Sequence, residues 1–552
     1  MKRPFIILTL AGLMLSGQSC KNLLDENPIS QVGSQYYNTL AGFESGVRSV
    51  YSTLRDYYGR EISTNLTVFG TDTYTMGADG SYKYMNQYTS QFGSNVDLLT
   101  NLWNAFYTGI NTANILIEKA PDIPGLTDAV RKQRIAEMKF LRAHYYFLLV
   151  QNWGPVALEL KGITTPRKDY KRAPVPDIYA AITADLEAAL PDLPATVPST
   201  DYGRATKGAC EHMLAKVYLT KATSEAAAAD DYTKAATYAK NTIANYGYKL
   251  NADYAQVHDQ SNQQSSEIIF ACQYTTDALT NGSGNETHLY FGMEYDVQVG
   301  MKRDIQNGRP FKRYRPTDYM LNVIFNPADR SKDSRYKKTF KDTWYCNNPA
   351  STGASKFDKT GKSFTFTAGD TAIYIPGVEW TLDQRKAKPY QVLVPSLYAA
   401  NLFPTLQKYL DPLRPDVTYQ PGSRDVFIAR LAETYLILAE ASIKLGKAQD
   451  AADAINVVRR RAAWTGKEKD MEITAAQATM DFLMEERERE LAGELTRWYD
   501  LKRWGILVER VKKYNSDGAP NIQAYHNLRP IPQTQIDRTT GGASAFPQNT
   551  GY

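Results

Sequence analysis

Two stretches of this chain are written as pairs of helices with small residues where they meet, and that pattern restricts the fold more than any other feature. In Tyr435-Leu-Ile-Leu-Ala-Glu-Ala-Ser-Ile-Lys-Leu-Gly446, small and apolar residues run to a glycine stop. A following segment carries Ala451, Ala454, Ile455 and Val458 at helical spacing. Leu214-Ala-Lys-Val-Tyr-Leu-Thr and Tyr232-Thr-Lys-Ala-Ala-Thr-Tyr-Ala form a looser copy, with Thr223 to Asp230 inserted between the helices. Small residues at such positions let helices approach closely, which suits a stacked scaffold.

The spacing from Gly446 to Ala451 resembles the turn glycine and close-packing alanine of tetratricopeptide-type hairpins. Further helices are expected upstream. Leu99, Trp103, Phe106, Ile110, Ala113 and Ile117 form one apolar stripe. Ile135, Met138, Leu141, Tyr145 and Leu148 form another, ending near Asn152 because Gly154-Pro155 breaks it. Two more helices are expected near 175–190 and 204–222. Helices return from 424 to 508. Residues 251–425 differ: Gly, Asn, Asp, Ser, Thr and Tyr dominate, Ser363 to Thr367 alternates like a short strand, and Tyr319 to Phe325 reads as one short helix. The fold class is therefore mainly α, a tetratricopeptide-like helical-hairpin scaffold with a long loop-rich elaboration containing short β-strands.

The chain opens with Met1-Lys2-Arg3, an apolar run from Phe5 to Leu15, and small or polar residues up to Cys20. A membrane-spanning helix needs about 20 apolar residues, so this is an export signal rather than an anchor helix. Its end at a cysteine points to a lipoprotein acylated on Cys20. The expected organisation is 1–19 signal peptide, 20–250 N-terminal helical scaffold with ligand-side loops, 251–425 elaboration, and 426–552 C-terminal hairpins and tail. Net charge is +5, and removal of Lys2 and Arg3 with the signal leaves +3, too little and too evenly spread for a nucleic-acid binder. Three cysteines remain after Cys20. Cys210 reads as a core residue, in line with Leu214 and Val217. A Cys272–Cys346 bridge is one option and free thiols are the other.

In the helix around Glu485-Glu-Arg-Glu-Arg-Glu490, Glu485 and Arg489 form a favourably oriented i,i+4 pair. Arg487 falls on the apolar face and needs carboxylate partners. The other charges read as a solvated face. The five histidines show no metal spacing and no Gly-x-Ser-x-Gly elbow occurs. Asp72 and Asp79 lack the spacing of a calcium loop. Neither metal nor cofactor is expected.

Several motifs then occur in order: Asn22-Leu-Leu-Asp25-Glu-Asn-Pro28, Phe140-Leu-Arg-Ala-His-Tyr-Tyr-Phe147 with Trp153-Gly154-Pro155, and Gly203-Arg204-Ala-Thr-Lys-Gly208. Glu486-Arg-Glu-Arg-Glu-Leu491, Arg497-Trp-Tyr-Asp-Leu-Lys-Arg503, Leu528-Arg-Pro-Ile-Pro-Gln533 and Asn549-Thr-Gly-Tyr552 follow. Together they resemble the SusD/RagB family of outer-membrane lipoproteins. The resemblance implies a surface-exposed, lipid-anchored binder that captures an oligosaccharide and acts as the lid of a TonB-dependent SusC-like transporter in glycan uptake, without being an enzyme. Peptide capture is the alternative, and a surface glycan hydrolase a third. The sequence departs from the family at Gly17, where Leu is usual before the lipidated cysteine. It departs again at Gly493-Glu494-Leu495-Thr496, where the family usually has Phe-Glu-Gly-His, so the helix junction there is expected to bend differently.

A neutral glycan offers C–H faces for aromatic stacking and hydroxyls for polar groups. Tyr is the commonest aromatic here, 38 against 19 Phe, and it supplies both a face and a polar tip. Two Tyr-rich loops fit: Asp72-Thr-Tyr74 through Tyr82, Tyr84 and Tyr88, and Leu289-Tyr290-Phe-Gly-Met-Glu-Tyr295-Asp296. The candidate ligand-binding residues are Asp72, Tyr74, Tyr84, Tyr290, Tyr295, Trp344 and Trp380. Trp103 and Trp498 lie on helical stripes and are assigned to the core.

Overall fold

The computed structural model describes residues 34–552. The signal sequence, Cys20 and the Asn22–Pro28 motif lie outside the described residues.

The scaffold helices, labelled in chain order, are α1 (Leu40–Ser52), α2 (Asp97–Lys119), α3 (Asp128–Trp153), α4 (Val175–Ala189), α5 (Lys207–Lys221), α6 (Asp231–Asn245), α7 (Leu431–Lys444), α8 (Ala448–Ala462) and α9 (Met480–Leu491). Local chemistry sets their ends. The Thr127 hydroxyl accepts from Val130 N at the start of α3, and Gly154, at φ +69°, stops it. Thr206 caps α5 in the same way. The expected stripes face inward: Leu99, Trp103, Phe106, Ile110 and Ala113 on α2 are all buried. On α3 every residue from Phe140 to Trp153 is buried, so this helix is the centre of the scaffold.

Consecutive helices pack from α2 through α6, and α6 packs directly against α7, which pairs with α8. The two predicted hairpins therefore stack on each other, although about 185 residues separate α6 from α7. Ala235, Ala239, Ala439, Ala451 and Ala454 lie in this stack with at most 4 % of their surface exposed.

The elaboration leaves and rejoins the scaffold side by side. Ile268–Cys272 pairs antiparallel with Val426–Arg430, with irregular register around Phe427 and Ala429. The segment from 426 is thus a strand, not the expected start of a helix. Its residues are bound as an edge partner to Ile268–Cys272 before α7 begins. Within the elaboration, Met293, Tyr295, Trp344, Phe364, Ile373, Leu393 and Phe403 build a second, smaller core. Over it lies a three-stranded sheet of Thr343–Tyr345, Thr371–Tyr374 and Gln391–Val392. The main core takes residues from Phe43 to Phe546, so both ends of the described chain share it. Cys210, Cys272 and Cys346 are free and buried. Cys272 belongs to the main core and Cys346 to the smaller one, which excludes the bridge.

The expected solvated face on α9 is instead an interior ion lattice. Glu486, Glu488 and Glu490 are at most 3 % exposed. Arg335 binds Glu486 and Glu490, Arg459 binds Glu486, and Arg430 binds Glu267, Glu490 and Glu494. Burial alone would raise the Glu486 carboxyl, but Arg335, Arg459 and Arg489 hold it well below the usual range. The two sequence-level pairings hold: Arg487 meets Asp500 at 3.0 Å and Glu433 at 3.6 Å, and Glu485 meets Arg489 at 3.3 Å. At the Gly493–Thr496 junction, Leu495 takes φ +56°, a conformation that favours glycine. That conformation costs an L-residue about 1 kcal/mol. The adjoining Glu494 is fixed by Arg430 and Lys408, each at 2.6 Å.

Candidate functional site

The two Tyr-rich loops meet. Tyr74–Met76 pairs antiparallel with Tyr314–Pro316, in the register Tyr74↔Pro316 and Met76↔Tyr314. Behind this ribbon stands an aromatic cluster: Tyr74 on Phe291 (5.4 Å), Phe291 on Tyr314 (5.2 Å) and Tyr290 on Tyr314 (5.7 Å). Edge contacts of this kind add to the area buried, so the cluster is a rigid support under the loops.

This geometry corrects most of the expected contact residues. Tyr74, Tyr290, Tyr295 and Trp344 are at most 1 % exposed, and a buried ring has no face to offer a sugar. The Tyr290 hydroxyl donates to Glu286 and that of Tyr295 to the Gly308 carbonyl, both at 2.7 Å. Trp344 sits opposite Ile373 in the smaller core. Asp72 is fully buried and accepts from Arg497 at 2.8 and 2.6 Å and from Arg510 at 3.0 Å. Burial would raise its pKa, and the two guanidiniums bring it below the ordinary value. These bonds occupy the carboxylate that a cation would need. Among the described residues no group of three metal-ligating side chains occurs.

Tyr84 and Trp380 remain half-exposed, on separate surfaces. Trp380 packs on Tyr374 (5.7 Å) over the smaller lobe, with the Lys388 ammonium 5.3 Å above its ring. Tyr84 stands on the short helix Lys83–Gln87, edge-on to half-exposed Tyr82 at 6.1 Å. This pair lines a groove of about 650 Å³, walled also by Thr89–Asp97, Tyr525 and Tyr552. Its walls are fixed by distant parts of the chain. Gln533 N donates to the Ser94 carbonyl at 2.9 Å, and Tyr552 donates to the Leu528 carbonyl at 2.8 Å. Gly551 is required there: its φ is +99°, and an added Cβ would sit 2.3 Å from Tyr525 Cγ.

The side chains of the groove carry little charge. Asp97 is its one acidic side chain and no lysine or arginine lines it. Burial, then the nearby Arg529, pushes His526 down to about 4, so it is neutral at pH 7. The remaining polar lining is hydroxyl and amide, from Thr89, Ser90, Gln91, Ser94 and Asn95. Tyrosine rings and neutral donors and acceptors in one groove can hold a polyhydroxylated ligand with apolar faces.

Residues 229–552 match the model of the SusD family, and residues 22–219 match a model described as starch-binding, associating with outer membrane. The chain belongs to the SusD family. A SusD-like protein of Formosa agariphila is 24% identical over 570 residues, covering 99% of both chains. The starch-binding protein SusD of Bacteroides thetaiotaomicron is 26% identical over 453 residues, covering 78% of this chain and 74% of that one. Among solved structures, a laminarin binding SusD-like protein superposes with a TM-score of 0.70 at 22% identity, covering 94% of this chain and all of that one. NanU of B. fragilis gives 0.68 at 20% identity, covering 95% and 99%. The helical-hairpin fold is thus the family's own, and this SusD-like chain is located at the outer membrane.

Tyr82 and Tyr84 belong to the Tyr-rich loop read from the sequence, whereas the other walls of the groove were not anticipated. Tyr552 was visible only inside a family scaffold motif. Thr89–Asn95 carry no periodic signal, and only the fold shows that they face Tyr525.

Proposed function

We propose that this SusD-like lipoprotein captures an oligosaccharide in the Tyr82–Tyr84 groove and passes it to a TonB-dependent SusC-like transporter, closing over it as a lid and performing no chemistry. The observation that carries the reading is the half-exposed tyrosine pair among the walls of a groove otherwise lined by neutral hydroxyls and amides. The names of two relatives, one starch-binding and one laminarin-binding, support the ligand class. Among the described residues no helix is long and apolar enough to cross a membrane. Attachment through Cys20 would keep the groove at high effective concentration beside the transporter, so modest intrinsic affinity suffices.

Calorimetry with starch and laminarin oligosaccharides, and with peptides as the competing class, tests this reading. Tyr82→Ala with Tyr84→Ala should weaken glycan binding about tenfold, since each stacked ring contributes about 0.5–1.5 kcal/mol. Peptide binding in place of glycan binding would overturn the ligand class, and release of shorter sugars by the purified protein would overturn the absence of chemistry. Co-purification with a barrel transporter tests the partnership.

A further inference from the structure

A second groove, about 640 Å³ and nearly equal to the first, runs along α2, whose first residue, Asp97, lines the first groove. Its walls are α2 at Trp103, Tyr107 and Asn111, the loop 157–170, and the short helix Gln533–Arg538. These walls are tied together before any ligand arrives. Asn111 exchanges two hydrogen bonds with the Ile163 backbone, at 3.0 and 2.7 Å. Thr540 N donates to the Lys168 carbonyl at 2.7 Å. Trp103 Nε1 donates to Gln535 at 3.3 Å, and Tyr107 donates to the Ala157 carbonyl at 2.8 Å. Tyr107 and Tyr170 are half-buried, so part of each ring remains exposed, with the Arg167 guanidinium 5.2 Å over Tyr170.

Unlike the first groove, it is rich in cations. Arg167, Lys168 and Arg538 line it against a single acid, Glu159. Arg167 is taken up by Asp169 at 2.7 Å and Glu159 at 3.1 Å. Lys168 and Arg538 are exposed and make no ion pair among the described residues. Two unpaired cations in a groove that also carries tyrosine rings suit a ligand with both an apolar face and a negative charge. The position also fits an extended ligand. Asp97 belongs to the first groove and Tyr107 to the second. Ten helical residues separate them by about 15 Å, the reach of a short oligosaccharide.

We propose that this groove is a second saccharide subsite, one that takes a sugar carrying a carboxylate or a sulfate ester. The proposal rests on the glycan-binding reading above and adds a ligand class to it. The lysine and arginine supply charge, the two tyrosines supply ring surface, and the neutral first groove holds an uncharged unit of the chain.

The test uses affinity electrophoresis and calorimetry on the full mature protein, with polygalacturonate as the carboxylated probe, dextran sulfate as the sulfated one and dextran as the neutral control. Wild type should bind at least one acidic probe more tightly than dextran, and whichever probe binds identifies the charged group. Lys168→Gln and Arg538→Gln should each weaken that binding about two- to fivefold, as expected for exposed charge pairs. Together they should bring it to the dextran level. Tyr170→Ala, which leaves the charge unchanged, should also weaken it. Unchanged melting of each variant would exclude a folding defect. The proposal falls if wild type shows no preference for acidic probes, or if the doubly neutralised variant retains it. It also falls if Tyr170→Ala has no effect, because the attraction would then be general electrostatics. The two readings fail separately. Neutral oligosaccharide binding that is weakened by Tyr82→Ala with Tyr84→Ala, with no acidic preference, leaves the first groove standing and removes the second. No binding of any glycan removes both.

Discussion

Replacing Asp72 by Asn should destabilise the fold without altering the ligand contacts. Asp72 is fully buried and accepts three charge-assisted hydrogen bonds, two from Arg497 and one from Arg510. An Asn keeps the shape but loses the charge, which leaves the Arg497 guanidinium buried without its bidentate partner. Breaking a buried pair from one side costs about 3–5 kcal/mol. The next carboxylate, Glu488, lies 3.7 Å from Arg497 and offsets part of the loss, so the expected cost is about 3 kcal/mol. Urea unfolding followed by tryptophan fluorescence reads it directly. Removing both charges, as Asp72→Asn with Arg497→Met, should recover most of the loss, because neither charge is then stranded. The folded carboxyl lies below its ordinary value. Its stabilisation is therefore present above about pH 4, and it is lost as the pH falls through the lower folded value. Asp72→Asn should remove that acid-dependent loss. A cost under 1 kcal/mol would refute the reasoning. Lost glycan affinity in a variant of wild-type stability would return Asp72 to the ligand.

Glu488 has the opposite pH signature: burial, opposed by Arg497 and reinforced by Asp72, pushes it up to about 7. It destabilises the fold progressively as the pH rises from its unfolded value near 4.3 to its folded value, and Glu488→Gln should flatten the stability profile over that range, read by melting against pH. Trp344→Ala should cost about 3–5 kcal/mol in the smaller core, with affinity at the Tyr82–Tyr84 groove unchanged as measured by calorimetry. Cys272 and Cys346 should resist a thiol reagent until the protein is unfolded, and reductant should leave melting unchanged, because both are free and buried. Cys20→Ser should release the protein from membranes in a fractionation experiment; retention would refute lipid anchoring.

The scaffold was legible because helix burial has a short period. Leu99 to Ala113 and the Gly446–Ala451 turn announce their partners within a dozen residues. Arg487 was legible for the same reason: a cation on an apolar face needs a carboxylate, and Asp500 supplies it. The interior lattice around Glu486 and Glu490 was not, since it draws in Arg335 and Arg430, far away in sequence. The site failed on burial. Tyr74 and Tyr84 stand ten residues apart in one loop with similar neighbours. A ribbon with Tyr314–Pro316 takes the first inside and leaves the second half-exposed. Pairing across about 240 residues leaves no mark that a local pattern can read.

The clasp between Ser94 and Gln533 spans 439 positions of sequence, and that between Arg497 and Asp72 spans 425. Contacts of such separation form late, because the chain entropy of closing so long a loop must be overcome first. The Tyr82–Tyr84 groove has one wall on each side of that closure, so a chain whose helices have all formed but whose distant segments have not met has no groove. Sugar binding would then serve as a reporter of finished assembly, falling silent in partly folded species that circular dichroism would still score as helical.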